Sequence, residues 1–144
     1  MKSFIILFSL LVFSQPVFAL TPPLPEKQLE EESDLIVEGI VEEPIRCLGK
    51  VDENKCYADR KYSVPMKVIK VKKGKAKKGE ALKITFHYYD YGKSNCVGDQ
   101  TAILHSGDQG IYYLRRLEDG TFMPVHWSGA QVKIHGNGDL PKCP

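Results

Sequence analysis

Two stretches in the middle of the chain alternate apolar and polar residues with a period of two. In residues 61–72 (KYSVPMKVIKVK), Tyr62, Val64, Met66 and Val68 share one parity. In residues 81–89, Leu82, Ile84, Phe86 and Tyr88 share one parity, and Lys83, Thr85, His87 and Tyr89 the other. Successive strand side chains point to opposite faces, so each stretch reads as a half-buried strand. The apolar parity of the first shifts to Ile69 and Val71, which predicts a bulge near Val68. Pro65 cannot donate to a ladder and is expected at an edge or a bulge. Nowhere does a helical period persist beyond about eight residues, so sheet must supply the architecture.

Further strands follow from shorter signals. Residues 35–41 (LIVEGIV) form an apolar run interrupted by Gly39, as in a buried strand with a bend there. Residues 110–117 (GIYYLRRL) and 122–127 flank Asp119-Gly120, a hairpin turn signal. Residues 131–135 suggest a last strand with Val132 and Ile134 inward. Residues 73–80 (KGKAKKGE) read as a turn. Residues 90–109 read as irregular apart from a short run at 101–105. Residues 26–34 (EKQLEEESD) suit one or two helical turns. Residues 44–59 read as a long loop. Five or six strands with one short helix predict a small all-β barrel or sandwich.

Composition supports a single folded unit. The chain has 144 residues, 42% of them hydrophobic and 26% charged, with a net charge of +2. That balance suits one globular domain and gives no general reason to expect nucleic acid as a partner. Residues 1–19 read as a secretory signal peptide. Lys2 precedes an apolar core at 4–13, and Val17 and Ala19 occupy the positions a signal peptidase reads. The apolar run is shorter than the roughly 20 residues a bilayer needs, so no transmembrane segment is expected. The mature chain is expected to begin at Leu20, with a proline-rich and acidic segment at 20–32 and the folded domain at 33–144. Localisation is expected to be periplasmic or extracellular.

Secretion gives the cysteines their meaning. Cys47, Cys56, Cys96 and Cys143 all lie in the mature part. An even count in a short secreted chain predicts two disulfides. Three pairings are open. Cys47–Cys56 is preferred because its spacing suits a bridged loop, leaving Cys96–Cys143. No Cys-x-x-Cys or His-x-x-x-His spacing occurs, so neither a metal nor another cofactor is expected.

The order of these elements resembles the oligonucleotide/oligosaccharide-binding (OB) barrel of the tissue inhibitors of metalloproteinases and the netrin modules. Residues 33–39 (SDLIVEG) are similar to that family's entry into its first strand. Residues 62–74, ending Val71-Lys72-Lys73-Gly74, are similar to its second strand and Lys-Gly turn. Residues 112–114 with 119–122 (DGTF) are similar to its late hairpin, and Cys96-Val97-Gly98 falls where the family often places a cysteine. The resemblance implies a five-stranded OB-like Greek-key barrel, disulfide-stapled, with one short helix. It covers residues 33–135. The inhibitors chelate the protease zinc through an N-terminal cysteine. Here the mature chain would begin with Leu20 and has no cysteine before Cys47, so that mechanism does not carry over.

No catalytic constellation stands out. His105-Ser106-Gly107-Asp108 holds a base, a hydroxyl and a carboxylate, but neighbours within one loop rarely make a triad, and a turn is expected. His87, His105, His126 and His135 are expected as solvent-exposed side chains. Charge is more informative. Residues 67–83 carry eight lysines against Glu80, and residues 26–43 carry eight acids against Lys27. The lysine turn, with Lys72, Lys73, Lys75, Lys77 and Lys78, is the candidate binding element, suited to an unknown protein, an anionic surface or a glycan. Tyr88, Tyr89, Tyr91, Tyr112, Tyr113 and Trp127 are candidates for a binding face, with Phe86, Tyr88 and one of Tyr112 and Tyr113 expected in the core. The expected function is a non-enzymatic binding module. The alternatives are protease inhibition through loops and a metal-dependent hydrolase built on the histidines.

Overall fold

The computed structural model describes residues 21–96, 98 and 101–144. The expected signal peptide at 1–19 and residue 20 lie outside the described residues. The elements are helix α1 (Glu26–Glu32) and strands β1 (Leu35–Val41), β2 (Arg46–Glu53), β3 (Ala58–Lys73), β4 (Ala81–Asp90), β5 (Gln109–Arg116), β6 (Phe122–Pro124) and β7 (Ala130–Ile134). A 3-10 turn at Trp127–Gly129 precedes β7.

Five strands close a ring in the order β1-β3-β4-β6-β5, and β5 pairs back onto β1. The β4–β6 contact is parallel and the other ring contacts are antiparallel. This is an OB-like barrel, as expected. β2 extends the sheet beside β3, and β7 lies beside β5.

Patterning explains why the ring closes. Tyr62, Val64, Met66, Val68, Leu82, Ile84 and Phe86 all face inward and are buried. They meet Leu35, Val37 and Val41 of β1 and Tyr112 and Leu114 of β5 in one core. β1 and β5 are apolar on their outer faces too. Ile36, Ile111 and Tyr113 pack with Leu29 of α1 and with Val125 in a second cluster. The helix therefore covers a stretch of wall whose outside is apolar. Both Tyr112 and Tyr113 are buried, on opposite faces of β5.

The two expected distortions, at Gly39 and near Val68, are two sides of one bulge. Glu38 pairs with Lys70 and Gly39 with Val68, which leaves Ile69 as the extra residue. A Cβ on Gly39 would lie 3.0 Å from the Met66 side chain. At the end of β3, Gly74 has φ +90° and a Cβ there would collide with the Asp34 carbonyl oxygen, so only glycine fits that turn.

Residues 44–59 depart from expectation. They form β2 and the start of β3, not a loop. Register shifts between Cys47 and Gly49 and between Lys50 and Asp52 break the alternation, and β2 is largely exposed. A strand with two irregularities and no buried face carries no period-two signal. The run at 101–105 forms no strand, although Leu104 is fully buried. The return strand after Asp119-Gly120 is shorter than expected, ending at Pro124.

The disulfide pairing also departs from expectation. Cys47 bonds Cys143 and Cys56 bonds Cys96, each with Cα atoms 5.4 Å apart. The hairpin explains why. Cys47 pairs with Tyr62 at its base, whereas Cys56 sits in the turn beyond Glu53. At about 3.3 Å per residue, the strand separates them by roughly 20 Å, well beyond disulfide reach. The Cys47–Cys143 bridge draws the C-terminal tail across the barrel, where Leu140 and Cys143 pack on the core and Tyr62 Oη donates to the Pro141 carbonyl at 3.0 Å.

Two outcomes follow. A non-reducing peptide map should recover Cys47 with Cys143 and Cys56 with Cys96. Cys143→Ser should lower unfolding stability by about 2–5 kcal/mol, because it opens a long loop and frees the tail. Beyond these two, a third outcome concerns Tyr113. Burial, then a 3.1 Å hydrogen bond donated to Glu26 and the charges of Glu26 and Glu30, push its phenol up to about 12. Folding thus favours the neutral phenol. The stability it contributes is present below pH ~10, the unfolded value, and is lost as pH rises toward about 12. Spectrophotometric titration of Glu26→Gln should show phenolate appearing at lower pH than in the parent.

Candidate functional site

The lysine turn is exposed, but folding changes its charge. The antiparallel β1–β3 pairing sets Glu38 beside Lys70. Lys73 Nζ donates to the Glu30 carbonyl at 2.6 Å. Lys72 and Lys73 share a groove with Glu26, Glu30 and Glu31. The acidic and basic segments, far apart in the sequence, thus lie against each other. Lys75, Lys77 and Lys78 stay exposed in the turn, where the Glu80 carboxylate accepts from the Lys77 backbone N–H at 2.7 Å.

The more structured feature lies on the outer wall, where β4, β5 and β6 meet. A cleft of about 300 Å³ is lined there by His87, Tyr89, Arg115, Met123, His126 and Trp127, with Thr21 and Thr101 at its margin. Phe86 is inward on β4, so His87 is outward by alternation. Leu114 is inward on β5, so Arg115 is outward, and it pairs with Met123 across the β5–β6 ladder. Arg115 Nη2 reaches the Val125 carbonyl at 3.5 Å. Trp127 follows His126 in the 3-10 turn, with ring centroids 5.5 Å apart, and its Nε1 donates to the Thr21 carbonyl at 3.1 Å.

Two histidines in this cleft are held by Nδ1, in opposite senses. His87 Nδ1 lies 2.8 and 3.1 Å from the two Asp59 carboxylate oxygens. A carboxylate accepts, so Nδ1 carries the proton, and the neutral ring has its lone pair on Nε2. His126 Nδ1 instead accepts from the Ser128 backbone N–H at 3.2 Å and lies 2.8 Å from Ser128 Oγ. An Nδ1 that accepts from the Ser128 N–H carries no proton, so the hydroxyl contact is donated by Ser128 Oγ, which itself accepts from the Leu24 N–H at 3.1 Å. The neutral His126 ring therefore carries its proton on Nε2. One ring offers the cleft an acceptor, the other a donor, and Arg115 adds a fixed cation.

The other sequence candidates fall elsewhere. The His105–Asp108 segment is a structural turn. Asp108 is buried and accepts from the backbone N–H groups of His105 at 2.9 Å and Gly136 at 2.7 Å, while His105 Nδ1 bonds the Gly138 carbonyl. His135 is exposed at the end of β7. Among the described residues, no three of His, Cys, Asp and Glu gather closely enough to hold a metal ion. His87 and His126 come together as the parallel β4–β6 pairing dictates, but His126 spends its only lone pair on Ser128. Tyr57 stacks near Tyr89 and Tyr91, with centroids 4.8 and 5.5 Å away, beside the Cys56–Cys96 bridge.

Sequence reasoning listed His87, His126, Tyr89 and Trp127 but did not join them, and it missed Asp59, Arg115 and Met123. Asp59 fell in the expected loop. The signal that could have found Arg115 was its place beside the inward Leu114, which puts a cation on the outer wall.

The chain matches no protein-family model, no curated protein and no solved structure. Among the described residues, no helix is long and apolar enough to cross a membrane. The chemistry of the site must therefore be argued from its own geometry. The opposed tautomers are directly measurable. At mildly alkaline pH, histidine nitrogen NMR should place the His87 proton on Nδ1 and the His126 proton on Nε2. Ser128→Ala should leave the His87 pattern intact and shift His126 toward the tautomer mixture of a free ring.

Proposed function

We propose that this chain is a secreted, non-enzymatic binding module that seats its ligand in the outer-wall cleft. The observation that carries the reading is the fixed set of Arg115, His126 Nε2–H and His87 Nε2 beside Trp127 and Tyr89. A few oriented polar groups on an apolar floor are the usual makeup of a ligand site. The two histidines are positioned by the fold before ligand arrives, which lowers the ordering cost of binding. The lysine turn at Lys75, Lys77 and Lys78 acts at longer range, steering anionic partners without shaping a pocket.

Two disulfides suit an oxidising compartment, which supports export of the chain after removal of residues 1–19. We also read the barrel as kin to the inhibitor and netrin modules. The segments that suggested this fall at the entry to β1, along β3 and on the β5–β6 hairpin. That kinship is fold-level and assigns no partner.

The second reading, protease inhibition by loops, draws on one feature. The β2–β3 hairpin exposes Leu48 and Val51 at 50% and 57%, and its tip is braced by Cys56–Cys96. A pull-down from the native secreted fraction separates the readings. Mature protein with Arg115→Glu and His126→Ala should lose its partner, while Leu48→Ser with Val51→Ser should keep it. Loss only in the hairpin variant, with a protease as the captured partner, would replace the cleft by the hairpin.

A further inference from the structure

The polar groups of the cleft specify more than a generic ligand. Arg115 and the His126 Nε2–H both donate, and Arg115 carries permanent charge, so they favour an anionic acceptor such as a carboxylate. His87 differs. With Nδ1 tied to Asp59, the Nε2 of the neutral ring takes a donor from the ligand. The ligand must therefore present an acid and, close beside it, a hydroxyl or N–H. Trp127 and Tyr89 add flat apolar surface, and Met123 adds a polarisable edge.

Charge beyond the cleft extends the requirement. On the same outer face, Lys61 pairs with His87 across the β3–β4 ladder, and Lys83 lies four residues before His87 on its strand. Both sit close enough to Asp119 to help hold its carboxyl below the usual carboxylate range, after the hydrogen bonds from Thr121. Asp59 and Asp119, hydrogen-bonded to His87 and Thr121, keep their negative charge. Against these two acids stand three cations, Arg115, Lys61 and Lys83, so the balance of the named groups along β4 and β5 is cationic. A ligand with repeated acid groups gains from this track, whereas a single small acid gains only from Arg115 and His126.

We propose that the cleft binds an acidic saccharide, a chain of uronic-acid sugars. The sugar carboxylate meets Arg115 and His126 Nε2–H. A ring hydroxyl on the neighbouring carbon donates to His87 Nε2. The C–H face of the ring lies on Trp127, and the next acid groups run toward Lys61 and Lys83. An acidic peptide satisfies the cations and can offer a backbone N–H to His87 Nε2, but it has no C–H ring face to lay on Trp127. A neutral sugar supplies the hydroxyl and the apolar face but leaves the Arg115 charge without a partner. The cleft, at about 300 Å³, is at the small end for ligand sites and suits one or two sugar rings with the rest of the chain outside.

The inference rests on the cleft being the ligand seat, and its test keeps the two apart. Trp127 is the only tryptophan of the chain, so its fluorescence reports on the cleft alone. Mature protein is titrated with a galacturonic-acid oligosaccharide, with the matching neutral galactose oligosaccharide and with a polyglutamate peptide. The expected result is a saturable change in Trp127 emission with the acidic sugar and at least tenfold weaker binding of the other two. Arg115→Gln and His87→Phe, each confirmed as folded by circular dichroism, should weaken the acidic sugar at least tenfold. Lys133→Glu, on β7, should leave it unchanged. Equal binding of polyglutamate would overturn the saccharide and leave the cleft as an anion site. Absence of any response to the acidic sugar, or full binding by Arg115→Gln, overturns the saccharide as well. In either case, the pull-down with Arg115→Glu and His126→Ala decides whether the cleft survives as the seat of another ligand.

Discussion

The barrel depends on one strand doing the work of two. β3 runs for sixteen residues, and its first part pairs with β4 while its second part pairs with β1. A flat strand of that length cannot serve both neighbours and still bring β1 round to β5. The bulge at Ile69, opposite Gly39, supplies the bend. Gly39 is needed because the bend presses β1 onto Met66, which is fully buried. Once β1 is turned, its outer face is Ile36 with Glu38, and its inner face is Leu35, Val37 and Val41. The β1–β5 ladder then closes the ring without leaving either strand as an edge.

Closure also builds the cleft. The parallel β4–β6 contact exists only because β6 returns from β5 between β5 and β4. It carries His126 and Trp127 to the side of β4 where His87 faces outward. The anchoring contacts come from parts of the chain distant in sequence. Asp59 belongs to the start of β3, and the Leu24 N–H that orders Ser128 belongs to the segment before α1. The two histidines are thus oriented by backbone and side-chain groups that the barrel has already fixed, and their opposed tautomers are a consequence of topology.

Most of the barrel was legible in the sequence because its longer ring strands bury one face, in β3 and β4, or both, in β1 and β5. Leu82, Ile84 and Phe86 declare β4, and Tyr62 through Val68 declare the inner face of β3. Even the bulge was visible, as a change of parity at Ile69. β2 was illegible because it buries nothing and is irregular at two places. The disulfide pairing followed β2 into error. Once residues 46–53 are a strand, Cys47 and Cys56 stand at opposite ends of a hairpin. The cleft was illegible for a different reason. A period-two pattern says that His87 and Arg115 face outward, but which outward residues meet depends on strand order, and strand order is not a local property.

Charge shows the same limit from the other side. Read along the chain, the eight lysines of 67–83 and the eight acids of 26–43 suggest a molecule with two strongly charged ends. The β1–β3 ladder and the packing of α1 bring much of these two sets together, so each neutralises part of the other's field. What escapes this neutralisation is the face built from β3, β4 and β5 on the far side of the ring, with Lys61, Lys83 and Arg115. The acids named on that face are Asp59, hydrogen-bonded to His87, and Asp119, hydrogen-bonded to Thr121. Each of these carboxylates keeps its negative charge, so the pull of the face on a ligand is the balance of Arg115, Lys61 and Lys83 over Asp59 and Asp119. The outer wall, with fewer lysines than the turn, differs from it in setting its cations beside a cleft, with Arg115 in the lining and Lys61 and Lys83 on the same face.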